Sequence, residues 1–118
     1  MKYSTFYLLF LAYFLQMQNM FSASVSRGPY LNAATQHSVH IRWRTNTATN
    51  SVVQFGLIDG TLNQTTTDAA LVTEHDVLIT GLNPDTKYFY SIGASLPTVE
   101  TYYAGSKYFF STLPVKGA

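Results

Sequence analysis

The sequence predicts an all-β fold, a seven-stranded sandwich, and three observations carry that prediction. Short runs rich in β-branched and aromatic residues alternate with turn-rich stretches, apolar residues within the runs recur at every second position, and no segment sustains the 3.6-residue period of an amphipathic helix. With 118 residues, 47% of them hydrophobic, the chain has material for the core of one domain.

Residues 1–24 stand apart from that domain. Met1-Lys2 leads into an unbroken apolar run from Phe6 to Leu15, which Gln16, Gln18 and Asn19 end. The run is shorter than the roughly 18 to 20 residues a transmembrane helix needs. It therefore reads as a signal peptide of a secreted, extracytoplasmic protein. Small residues at Ser22 and Ser24 permit cleavage after Ser24, with Ala23 the alternative, so that the mature chain starts near Val25. Without Lys2 the seven basic groups fall level with the six acidic ones. A neutral domain with no Lys/Arg run lacks the footprint of a nucleic-acid binder or of a protein held on an anionic membrane. The chain has no cysteine, so an exported domain here depends on its core alone and has no thiolate for a metal.

Strands are expected at Arg27–Leu31, Ser38–Arg44, Ser51–Gly56, Thr66–Val72, Asp76–Thr80, Lys87–Gly93 and Lys107–Thr112. In the second, Val39, Ile41 and Trp43 share one face and His40, Arg42 and Arg44 the other. Val53 with Phe55, Val77 with Ile79, Tyr88 with Tyr90 and Ile92, and Tyr108 with Phe110 repeat the alternation and complete the expected core around Trp43. Thr45–Asn50 reads as a polar connection, Ile58-Asp59-Gly60 as a turn with positive φ at the glycine, and Ala94–Gly105 as a long mixed loop. Residues 25–114 make the domain, and 115–118 the start of a linker or a truncated end.

Leu82-Asn83-Pro84-Asp85-Thr86-Lys87-Tyr88 has the form of a tyrosine corner: proline fixes φ at the crossing, leucine buries beneath it, and the tyrosine hydroxyl returns to backbone a few residues upstream. Together with Trp43 it resembles immunoglobulin/fibronectin type III-like domains, a fold that by itself specifies no activity. The match goes further. Arg27-Gly28-Pro29-Tyr30-Leu31, Ile41-x-Trp43-x-Thr45, Val53-x-Phe55-Gly56, His75-x-Val77-x-Ile79-x-Gly81-Leu82, Thr86-Lys87-Tyr88-Phe89-Tyr90-x-Ile92-Gly93 and Phe110-x-Thr112-x-Pro114 follow one another in an order that resembles the N-terminal domain of purple acid phosphatases.

That resemblance implies a non-catalytic accessory domain. In the family it precedes a metallophosphoesterase domain, whose dinuclear centre pairs iron with zinc, iron or manganese and hydrolyses phosphate monoesters. The ligand motifs of that centre, Gly-Asp-x-Gly, Gly-Asp-x-x-Tyr and Gly-Asn-His, are absent from these residues, so no catalytic, cofactor-binding or metal-ligating residue carries over. The expectation is no enzyme activity and no cofactor in this chain itself, with a missing or separate catalytic domain as partner. A free-standing extracellular binding module is the alternative.

Individual candidates are few. His37 and His40 are three apart, which on a strand sends them to opposite faces, and both read as surface residues. His40 and His75 could meet if their strands pair, against a solvent-facing reading for both. No Gly-x-Ser-x-Gly elbow or glycine-rich phosphate loop is present. Asn63-Gln64-Thr65 is an N-glycosylation acceptor triplet. Tyr102, Tyr103 and Phe109 fall outside the expected core, and exposed aromatics at an edge suit an interface.

Overall fold

The computed structural model describes residues 23–117, so the signal-peptide reading falls almost wholly outside the described residues. Among these there are six strands and no helix: β1 (Val25–Asn32), β2 (Val39–Gly56), β3 (Gln64–Ile79), β4 (Lys87–Ala94), β5 (Glu100–Tyr103) and β6 (Phe109–Ser111). They form one antiparallel sheet in the order β1-β2-β4-β5, with β3 also paired to β2 and β6 to β4.

The sheet curls because β2 is long enough to belong to two neighbourhoods. Its first half pairs with β1 and with the end of β3, matching Ile41 to both Leu31 and Val77. Its second half pairs with the start of β3 and with β4, matching Val53 to both Thr66 and Ile92. Between the halves the pairing slips on both strands. Arg44 faces Glu74 and Thr49 faces Val72, setting 45–48 of β2 against Thr73 alone; Ser51 then faces Asp68, setting 69–71 of β3 against Asn50 alone. Bulges of this kind bend a strand and raise its twist.

Seven separate strands are therefore not what the described residues show. Two expected pairs, Ser38–Arg44 with Ser51–Gly56 and Thr66–Val72 with Asp76–Thr80, are each one continuous bent strand. The Thr45–Asn50 connection is strand backbone with Thr45, Thr49 and Asn50 buried. The long loop at Ala94–Gly105 contains β5, and the last strand is shorter than Lys107–Thr112. β5 and β6 lie along the same β4, opposite Ile92–Ala94 and Lys87–Phe89 respectively. Between them an excursion closes with Tyr108 N donating to Gly105 O at 3.1 Å, before Tyr90 N donates to Tyr108 O at 3.0 Å. Close approach of β5 explains one glycine, since a Cβ on Gly93 would collide with the carbonyl oxygen of Glu100.

The alternation read from the sequence places the core well. Val39, Ile41, Trp43, Val53, Phe55, Val77, Ile79, Leu82, Tyr88, Tyr90, Ile92 and Phe110 form one buried cluster drawn from both halves of the sheet. Tyr108 is only partly buried and joins it from outside, with Val25, Tyr102 and Tyr103. The corner is built as its sequence says. Tyr88 Oη accepts from Asn83 N at 2.9 Å, the ring stacks on Phe110 at 5.4 Å, and Leu82 is buried beneath.

Candidate functional site

The residues of chemical interest lie in three places, and the core alternation determines which. On β2 and β3 the even-numbered residues of 40–44 and 74–78 face outward. His40 Nδ1 is 2.8 Å from Asp76 Oδ1, Arg42 Nε is 3.7 Å from the other Asp76 oxygen, and Arg44 Nε is 2.8 Å from Glu74. This is a solvated ladder of cross-strand pairs, each of modest stabilising value.

His75 is the correction to the surface reading. It sits on the inward face of β3 opposite Trp43, is 2% exposed, and stacks on the indole with ring centroids 4.7 Å apart and planes within 3°. Its polarity is met from the bend of β2. Thr45 Oγ1 donates to Thr47 O at 2.8 Å, so it accepts from His75 Nε2 at 2.9 Å. Nδ1 is then left to accept from Ser51 Oγ at 2.7 Å. The ring is satisfied as the neutral Nε2–H tautomer. Burial holds its pKa below the usual imidazole value, against a smaller opposing pull from Glu74. Sequence reasoning missed this residue because its partners are 24 and 30 positions away.

His37 stays at the surface, as expected, and braces the corner: Nδ1 donates to Leu82 O at 2.8 Å while its own carbonyl accepts from Leu82 N at 3.0 Å. His40 and His75 do not meet, because they point to opposite faces. Among the described residues no three His, Asp or Glu side chains stand close enough to hold a metal ion. The residues do not fit a dinuclear centre: both His75 nitrogens are taken inside the domain, and His37 and His40 each commit Nδ1 to an unrelated partner.

The aromatic candidates separate. Tyr103 is half-buried and stacks on Tyr108 at 5.5 Å. Tyr102 is half-buried too; burial raises its phenol pKa. Its hydroxyl, with Glu100 Oε2 and Trp43 Nε1, is buried with no hydrogen-bond partner among the described residues. Phe109 is 44% exposed. It meets Phe89 edge-on at 6.4 Å, with the Lys87 ammonium 4.2 Å above its ring. Asn63 is exposed just ahead of β3.

The third place is an open groove on the outer face of β2, β4 and β5, about 530 Å³ in volume and lined by Gln54, Asp59, Leu62, Phe89, Ser91 and Thr101 among others. One wall is the turn closed by Thr61 N donating to Ile58 O at 3.0 Å, with Gly60 at φ 83° as its sequence predicts. The other is the excursion between β5 and β6.

Against known proteins, the family described as "Purple acid Phosphatase, N-terminal domain" matches residues 28–112. No curated protein matches the chain. Among solved structures, the sensor domain of the anti-sigma factor RsgI4 in Pseudobacteroides cellulosolvens is similar with a TM-score of 0.44 and 12% identity, over 80% of this chain and 95% of that one.

Proposed function

The chain belongs to the purple acid phosphatase N-terminal domain family, and from that premise we propose that it is a non-catalytic accessory domain, exported from the cell and partnered with a metallophosphoesterase catalytic domain. The family match over residues 28–112 carries this reading. The absence of the Gly-Asp-x-Gly, Gly-Asp-x-x-Tyr and Gly-Asn-His motifs from the 118 residues agrees with it. Chemistry on phosphate monoesters, and the iron-containing dinuclear centre for it, belong to the partner.

The fold proposed for this role is the immunoglobulin/fibronectin type III-like sandwich. Counted by half rather than by continuous run, β1, the two halves of β2, the two halves of β3, β4 and the interrupted β5–β6 make its seven segments. Phe109 is the natural contact for the partner domain. It is apolar, held upright by Phe89 and Lys87, and followed by exposed Leu113 and Val115.

Export rests on the Met1-Lys2 and Phe6–Leu15 pattern. Ser24 bears on where the mature chain begins, because its N donates to Asn46 Oδ1 at 2.7 Å and its carbonyl accepts from Asn46 N at 3.0 Å. Cleavage after Ala23 preserves that pair; cleavage after Ser24 gives it up. The intact mass of protein recovered outside the cell distinguishes the two, and a retained Met1 would refute export by cleavage.

The accessory role is tested by assaying the purified protein on p-nitrophenyl phosphate at acidic pH with added iron, zinc and manganese. No turnover above the buffer control is expected. Metal-dependent turnover would overturn the reading.

A further inference from the structure

The geometry points to the groove on the outer face of β2, β4 and β5 as a binding site for a neutral oligosaccharide, independently of whether a phosphatase domain accompanies the chain. The groove carries unused hydrogen-bonding capacity. Gln54, Asp59, Ser91 and Thr101 all line the groove. None of their side chains is among the partners in the hydrogen bonds formed between described residues, whereas Thr45, Thr49, Asn50, Ser51, Thr86 and Thr112 are all engaged internally. Four uncommitted polar side chains from three elements and a turn therefore converge on one concavity, beside the apolar surfaces of Phe89 and Leu62.

The chemistry of that set selects the ligand. A carboxylate accepts, a carboxamide both donates and accepts, and two hydroxyls do either. This suits a ligand whose polar groups are themselves ambivalent hydroxyls. Phe89 and Leu62 offer apolar contact for the C–H face of a sugar ring, the mixture of a mostly apolar wall and a few placed polar groups that small-ligand sites show. Other classes fit poorly. No Lys or Arg lines the groove, so phosphate and nucleotides find no counter-charge. Asp59 is the only lining carboxylate, too few oxygens for a divalent cation. The groove is open to solvent, so a chain of sugars can enter it from the side.

Position supports the same reading. Asp59 is carried on a tight turn and Thr101 on β5, while Gln54 and Ser91 project from directly paired positions on β2 and β4. The backbone that carries these groups is thus fixed by sheet and turn before the ligand arrives, leaving only side-chain rotamers to be ordered on binding.

The experiment is calorimetric titration of the purified protein with cellohexaose, xylohexaose, maltohexaose, mannohexaose and chitohexaose, and separately with inorganic phosphate. At least one hexasaccharide is expected to bind with a dissociation constant on the order of 1 mM or tighter, and phosphate not at all. Gln54→Ala, Asp59→Ala and Thr101→Ala should each weaken that binding roughly tenfold, as loss of a bond worth about 1.4 kcal/mol does. The melting temperature should stay unchanged in each, since all three side chains are exposed. Arg42→Ala, on the opposite half of the sheet, should leave affinity intact. Silence towards every hexasaccharide overturns the proposal. So does saturable binding of phosphate alone, or sugar binding that all three groove variants leave unaltered.

Discussion

Where β2 bends at Thr45–Ser51 the buried fastening is an imidazole; where β3 hands over to β4 at Leu82–Tyr88 it is a phenol and a threonine hydroxyl. Both do the same mechanical work, satisfying backbone and side-chain groups at a place where the ladder breaks. At the bend, His75 bonds Ser51 and Thr45 and rests on Trp43. At the corner, Tyr88 takes the Asn83 N–H, while Thr112 Oγ1 donates to Asn83 O at 2.6 Å and accepts from Thr86 N at 3.0 Å. The difference is in protonation. An imidazole is the side chain that changes charge nearest neutral pH. The crossing with a buried imidazole, the bend, is the one whose buried fastening responds to acid.

The largest blow to this pairing of crossings is Trp43→Ala. It removes the platform under His75 together with much of the core and should cost about 3 to 5 kcal/mol, read from urea unfolding. A loss below about 1 kcal/mol would mean that the bend is held without the stack. Next in size, Tyr88→Phe should destabilise by about 1 to 3 kcal/mol, because the Asn83 N–H loses its acceptor. An unchanged midpoint would refute the corner as a stabilising device.

Acid sharpens the contrast. The folded-state pKa of His75 is depressed, so the unfolded chain takes up the proton first. Its contribution is fully present above the unfolded pKa of about 6.5 and is lost as pH falls from there towards the lower folded value. One proton gives at most about 1.4 kcal/mol per pH unit. His75→Phe should flatten this part of the stability profile and Tyr88→Phe should preserve it. Equal slopes in both variants would dissolve the distinction. The smallest effect belongs to the outer ladder: Arg44→Ala should change stability by no more than about 0.5 kcal/mol, since the pair with Glu74 is half in solvent.

What the sequence discloses and what it hides divides along the same line. The corner is legible because its parts are local: leucine, proline, threonine and tyrosine fall within seven consecutive positions. The faces of β2, β3 and β4 are legible because Val39, Ile41 and Trp43, or Tyr88, Tyr90 and Ile92, repeat with the period of the pleat. The bend is not. Thr45-Asn46-Thr47-Ala48-Thr49-Asn50 has the composition of a turn, and only distant partners make it buried strand. Asn50 shows how. Its Oδ1 accepts from Ser95 N and Leu96 N, at 2.8 and 2.9 Å, some 45 residues further on. In the sequence His75 reads as solvent-facing for the same reason. β5 escaped notice because four residues are too few to display a period. The groove was invisible because its lining comes from separate elements, and Gln54, Asp59, Ser91 and Thr101 carry no motif.

The interruption between β5 and β6 also shapes how copies of this protein meet. An unbroken last strand would offer a neighbour a long row of free amide and carbonyl groups, the template on which sheets grow from molecule to molecule. Here a second chain laid along that edge would follow it for the four residues of β5 and then be thrown out of register by the protruding turn at Gly105. At that border, backbone shape alone makes the sheet a poor template for a second chain.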